Sequence, residues 1–165
     1  MTDDEMNELN NDPRVKSFLS FTKGEGFGRP LLEAAVTGKP VITTNWSGHT
    51  DFLHPDYNVL IGGELKSVHE SAVNQFLLKE SQWFSINIPI ASRAMKDVFN
   101  HYKKYHEKSR KQTQYIKDNF SFNKMGEFMS NISNTYIDKN ITIQTPLKLP
   151  KLKKIELPKL KKVEL

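Results

Sequence analysis

The chain has 165 residues, 24 lysines and arginines against 19 acids for a net charge of +5, and no cysteine. That length suits one domain burying roughly two-thirds of its unfolded surface; the lack of thiols excludes a disulfide framework and a thiolate metal site, and fits a reducing compartment. From Pro146 onward there are seven lysines and two glutamates, which leaves 17 basic and 17 acidic side chains in residues 1–145, so the body is balanced and no nucleic-acid partner is expected for it.

The opening stretch MTDDEMNELNNDPRVK is acidic and polar, without the basic and apolar regions of a signal peptide. No apolar run approaches the roughly 20 residues needed to span a bilayer. A soluble, cytoplasmic protein is expected. A short polar helix is predicted over residues 3–10. Residues 15–21, VKSFLSF, are rich in β-branched and aromatic side chains and end in a glycine-rich turn, which predicts a strand. The next apolar run, 30–36, has Pro30 suited to a first helical turn and Gly38 to a helix end. PVITTN (40–45) and NVLIGG (58–63) predict two further strands. Strands alternating with helices imply parallel pairing with right-handed crossovers, an α/β fold.

Residues 64–87 read either as a helix or as an irregular stretch that carries Trp83 and Phe84 into the core. Beyond Pro89 the pattern sharpens. Ala91, Ala94, Met95, Val98 and Tyr102 recur at helical spacing, with Arg93, Lys96, Asp97 and Lys103 on the other face. A basic helical stretch, HEKSRKQTQYIKDN, follows; then Met125, Phe128, Met129 and Ile132 mark a last helix, capped by Ser121 or Asn123. In residues 138–165, LPKLKKIE recurs as LPKLKKVE, with a proline in each copy that forbids a continuous helix. An extended or disordered appendage is expected there, with a lysine-rich strand contacting a membrane or a partner as the alternative.

The chemistry concentrates in KGEGFGRPLLE, residues 23–33. Gly24, Gly26 and Gly28 allow positive φ and a close approach of backbone to ligand, immediately before a helix whose first amides lack internal partners. Such an end attracts anions, and Arg29, with Lys23, would add side-chain charge. The spacing matches neither common phosphate fingerprint, because the position for the third glycine is Arg29 and no glycine-lysine-serine or -threonine follows. Glu25 in the loop and Glu33 about one turn into the helix are expected to face one cleft. Carboxylates accept hydrogen bonds only, which suits gripping the diols of a sugar or ribose. Amides for phosphate flanked by carboxylates for diols suggest a nucleotide sugar.

Each assignment has a plainer competitor. Glu33 is favoured near a helix start by about 0.3–1 kcal/mol whatever the protein does. Glu25 alone suits a solvated loop, and Arg29 a bare surface. A lone His49 after a strand is more often structural than a catalytic base; His101 and His106 fit a solvated face. Trp46, Trp83 and Phe84 are first of all core or cleft-wall aromatics.

The run EGFGRPLLEAAVTGKPVITTNWSGHTDFL (25–53) resembles the donor-binding core of glycosyltransferase family 4, retaining enzymes of the GT-B fold whose signature is glutamate, seven residues, glutamate. SFTKGEGFGRPLLE, KESQWF and NFSFNKMGE are more similar still to the glycosyltransferases of T4-like tailed bacteriophages, and the likeness extends over about residues 2–135. The resemblance implies a partial Rossmann-like parallel sheet over 1–137, the carboxy-terminal half of a GT-B fold. It makes Glu25 the catalytic glutamate, meeting hydroxyls of the transferred sugar. It sets Gly24 and the amides of Gly26, Phe27 and Gly28 against the sugar and diphosphate, Arg29 near the phosphate, Glu33 on the ribose, and Ser47 and Gly48 in a second loop beside the donor, with Asp51 where an acid often follows. Transfer would be metal-independent, with no cofactor, and would occur in the host cytoplasm if the chain is phage-encoded. The acceptor-binding amino-terminal domain of the family is not represented, so the chain is expected to need it in cis or in trans and to be inactive alone. Two alternatives stay open: a nucleotide-sugar-binding module without turnover, and an interaction protein acting through its tail.

Overall fold

The computed structural model describes residues 2–137; the repeat in 138–165 lies outside the described residues. The chain divides into two compact units, Met1–Phe128 and Met129–Leu165, and the elements below belong to the first, except that residues 129–136 of the last helix belong to the second. The first is a mixed α/β arrangement about a small parallel sheet.

Helix α1 (Asp3–Asn11) starts on a reciprocal capping box. The Glu5 amide donates to Thr2 Oγ1 at 3.2 Å, and the Thr2 amide donates to Glu5 Oε2 at 2.7 Å. Three parallel strands follow in the order β1 (Phe18–Ser20), β2 (Val41–Thr44), β3 (Val59–Ile61), with Phe18 opposite Val41 and Ile42 opposite Val59. β1 is shorter than residues 15–21 predict, because the Val15 amide closes a turn onto the Asp12 carbonyl at 3.0 Å. Every residue of β2 is buried, as expected of a central parallel strand covered on both faces.

Alternate residues of β2 enter two cores. On one side Val41 packs with Leu31, Ala34 and Ala35 of α2 (Arg29–Val36), with Phe52 and Leu53, and with Ile116. On the other, Ile42 and Ile61 meet Ala91 and Val98 of α3 (Ile88–Asn100). Burying a leucine such as Leu31 contributes about 1.5–3 kcal/mol. At its far end α2 is closed by hydroxyls of α4 (Tyr102–Asn119): Ser109 Oγ donates to the Gly38 carbonyl at 2.8 Å and Thr113 Oγ1 to the Ala35 carbonyl at 3.1 Å. These satisfy carbonyls that a helix end leaves free, and Gly38, at φ +78°, makes the exit turn.

Residues 64–87 are not a helix. Residues 68–81 are irregular apart from one short turn, Glu70–Ala72, and the ends form an antiparallel pair, β4 (Gly63–Ser67) with β5 (Gln82–Ile86), which buries Phe84 and half-buries Trp83. The Phe84 amide donates to the Lys23 carbonyl at 3.0 Å, tying this pair to the loop after β1. Tyr102 does not continue the stripe of α3. The helix breaks at His101 (φ −119°, ψ 36°) and Tyr102 opens α4. Helix α5 (Phe122–Tyr136) begins after Ser121, whose Oγ accepts from the Lys124 amide at 3.4 Å, and it buries none of its side chains. No helix among the described residues is long and apolar enough to cross a membrane.

Candidate functional site

The candidate residues sit at the carboxyl ends of β1 and β2, where open parallel sheets place their ligand crevices. Two loops meet there. The one after β1 carries residues 21–28, and the one after β2 carries Ser47 and a single helical turn, Gly48–Asp51. Their backbones interlock: the Glu25 amide donates to Ser47 Oγ at 2.7 Å, and the Gly48 amide donates to the Glu25 carbonyl at 3.0 Å. Gly48 is glycine for lack of space, since a Cβ would lie 2.1 Å from the Gly26 carbonyl oxygen.

Of the loop glycines, Gly28 alone adopts positive φ (+88°), and it is the residue before α2. Its carbonyl accepts from the Leu31 and Leu32 amides at 3.0 and 3.1 Å, which starts the helix. A Cβ on Gly28 would stand 3.0 Å from His49 Cβ. Gly24 and Gly26 face open space and take ordinary φ, so neither is required by the backbone. The amides of Gly26, Phe27, Gly28 and Arg29 find no acceptor among the described residues. Only that of Arg29 belongs to the helix start, since Pro30 has no N–H and Leu31 and Leu32 bond the Gly28 carbonyl. Those of Gly26, Phe27 and Gly28 are loop amides just ahead of it, and together the four can meet an anion. Phe27 is half-exposed beside them, its ring 5.0 Å from that of Phe52.

Glu25 is half-buried, its main chain held by Ser47 and Gly48. Glu33, in the second turn of α2, accepts from Arg29 Nε at 2.6 Å across one helical turn. The carboxylate raises the basicity of the guanidinium. Arg29 and Glu33 both line a cleft of about 510 Å³ between α1 and α2, with Asp3, Asn7, Leu32 and Thr37. Glu25 is not among the residues lining that cleft. Lys23 reaches the other way, its Nζ 5.1 Å from the centre of the Trp83 ring, and Trp46 stacks on Phe84 at 5.6 Å. Asp51 is exposed at the end of the turn.

His49 is fully buried, and its Nε2 donates to the Thr44 carbonyl at 2.7 Å. A ring shut away from solvent props Gly28 rather than serving as a base. Gln112 of α4 is a support that its polar neighbourhood conceals. It is fully buried, Oε1 accepting from the His54 amide at 3.0 Å and from Asn58 Nδ2 at 2.8 Å, while Nε2 donates to the Phe52 carbonyl at 2.6 Å. It thereby holds the chain that leaves the Gly48–Asp51 turn. The one available signal was its spacing with Ser109 and Ile116, which puts the three on one helical face. Among the described residues no group of three or more His, Asp or Glu side chains comes together to hold a metal ion. No protein-family model matches the chain, and no curated protein matches it.

Proposed function

We propose that this chain binds the donor of a retaining, GT-B-type glycosyltransferase, a nucleotide sugar held by the loop after β1 and the start of α2. The observation that carries the reading is the run of unpaired amides from Gly26 to Arg29, flanked by Glu25 on one side and by Glu33 with Arg29 on the other. Main-chain donors at a helix start suit a diphosphate without demanding a metal. Glu25 takes hydroxyls of the transferred sugar. Glu33 takes the ribose diol, for which the cleft against α1 offers room. In the reaction, fixed dipoles at the head of α2 stabilise the diphosphate as the glycosidic bond to it breaks. Transfer also requires a wall that holds the acceptor, because positioning both reactants supplies roughly 7–11 kcal/mol of barrier reduction.

The test is a titration of the 165-residue protein with UDP-glucose, GDP-mannose and ADP-glucose, following the amide resonances of Gly26, Phe27 and Gly28. At least one donor should shift these three and saturate. Glu25→Gln and Glu33→Gln should each weaken binding by about tenfold, the worth of one hydrogen bond to a charged group. Saturation that ignores both substitutions, or no shift with any donor, sinks the reading.

A second reading rests on α5. Phe122, Phe128, Met129 and Tyr136 are all more than half exposed along it, and seven lysines follow from Pro146 onward. An interaction protein built this way would bind an anionic partner in a salt-sensitive manner, lost on removal of residues 146–165.

A further inference from the structure

We propose that Ser47 is a positioning residue that fixes the main chain of Glu25 and, through it, the unpaired amides at the start of α2. The motivating feature is its backbone. Ser47 has φ +75° and ψ −165°, and it is the one non-glycine residue with positive φ among the described residues. That region is open to glycine at little cost and strained for any residue carrying a Cβ. A serine persists there because its surroundings hold it. Its carbonyl accepts from both the amide and the hydroxyl of Thr50, at 3.0 and 2.7 Å. The next residue is pinned against the Gly26 carbonyl, and His49 is anchored through Thr44.

What the side chain supplies in return is one acceptor. Ser47 Oγ takes the Glu25 amide at 2.7 Å, while the Gly48 amide takes the Glu25 carbonyl at 3.0 Å. Both peptide groups of Glu25 are therefore clamped by the second loop, which fixes the backbone from which its side chain leaves. Glycine at position 47 would relieve the strain and lose the Oγ acceptor, one of the two bonds of the clamp. Alanine would keep the strain and lose it too. The pair of substitutions separates the two effects.

Whether the clamp serves ligand binding rests on the donor-binding reading; the clamp itself does not. Amide hydrogen exchange on the ligand-free 165-residue protein comes first, comparing wild type with Ser47→Gly and Ser47→Ala. Exchange at Glu25 should quicken by about tenfold in both variants as its acceptor is lost. Ser47→Gly should melt close to wild type and Ser47→Ala clearly lower. If Ser47→Ala fails to fold, Ser47→Gly alone decides. Unchanged protection of the Glu25 amide in Ser47→Gly overturns the proposal. The same titration with UDP-glucose, GDP-mannose and ADP-glucose then separates the layers. Faster exchange together with weaker donor binding supports both readings. Faster exchange in the variants, with a wild-type protein that binds none of the three, leaves the clamp standing and removes the donor reading. Tight donor binding with unchanged exchange in Ser47→Gly does the reverse.

Discussion

Gly48→Ala is the most direct test of the two-loop arrangement. Gly48 has ordinary φ, so alanine meets no backbone penalty, and the effect comes from contact alone. Its Cβ would lie 2.1 Å from the Gly26 carbonyl oxygen, 2.7 Å from the Gly26 carbonyl carbon and 3.0 Å from the Glu25 carbonyl oxygen. A comfortable carbon–oxygen contact is about 3.3 Å, so the Gly26 carbonyl must retreat by about 1.2 Å. All three atoms are main chain, and none can rotate away. The retreat drags the Glu25–Gly26 peptide with it, stretching the bonds from Gly48 to the Glu25 carbonyl and from the Glu25 amide to Ser47 Oγ. Forced shifts of this kind cost about 1–3 kcal/mol, and each of the two hydrogen bonds about 1 kcal/mol. A net loss of about 3 kcal/mol corresponds to a fall in melting temperature of roughly 6–12 °C for a chain of this size. Thermal unfolding followed by circular dichroism measures it, with Gly26→Ala as control, because a Cβ there meets nothing within 4 Å. If Gly48→Ala melts within about 2 °C of wild type, or Gly26→Ala falls as far, the loops do not interlock as described.

Further outcomes follow from the supports of the site. Gln112→Leu leaves the His54 amide and the Phe52 carbonyl without a partner, while Asn58 Nδ2 keeps the His54 carbonyl. Buried unpaired groups cost about 1–3 kcal/mol each, so urea unfolding should register a loss of at least about 2 kcal/mol; a loss under about 1 kcal/mol would contradict the buried hub. Tyr105 donates to Asp97 Oδ2, and this hydrogen bond, with burial, pushes its phenol up to about 12. A raised folded-state value means a stabilising contribution that is complete below the unfolded value of about 10 and is lost as pH climbs toward 12. The same bond, with His101 adding to it, holds the Asp97 carboxyl below its usual range, so its contribution is present above about pH 4 and lost as pH falls further. In an absorbance titration of the five tyrosines, Tyr105 should ionise last, Tyr102 is also raised but by burial alone, and Asp97→Asn should lower the last step without moving that of Tyr102. A last step that Asp97→Asn leaves in place would assign the shift to something else.

Much of this fold was legible because its punctuation is local. Pro30 and Gly38 bracket α2, the apolar runs 40–45 and 58–63 contain β2 and β3, and the acidic start is α1. What stayed hidden depends on partners distant in sequence. All five residues of β4 are exposed, so the strand carries no alternation to read, and its partner β5 buries Phe84 alone. The break at His101 interrupts a helical stripe whose periodicity runs on into Tyr102. In the site, the glycine pattern was visible but the reason for each glycine was not. Gly28 is needed for its φ and Gly48 for its contact with the Gly26 carbonyl, whereas Gly24 and Gly26 stand in open space. No periodicity reveals that Ser47 occupies a backbone conformation suited to glycine, since that depends on Glu25, 22 residues earlier.

The site is unequal in its rigidity, and the inequality bears on what it does. Around Glu25 the main chain is clamped by two hydrogen bonds and by a glycine contact that leaves no slack. Eight residues on, Glu33 is held only by Arg29, whose side chain is 74 % exposed against 41 % for the glutamate. Exposed ion pairs of this kind contribute little and are easily exchanged for other partners. A ligand carrying both a diol and a phosphate can therefore separate them at small cost, the diol taking the carboxylate and the phosphate the guanidinium. A ligand with an anion alone would pull Arg29 away and strand Glu33 beside Asp3 in the same cleft. On the donor-binding proposal the pair would discriminate by chemistry: free phosphate would take Arg29 and leave Glu33 without it, whereas a ligand with a phosphate and a diol would offer a partner to both. On that proposal, preference for a nucleotide over inorganic phosphate would rest on the Arg29–Glu33 pair, while the clamped loop would offer its amides to both ligands.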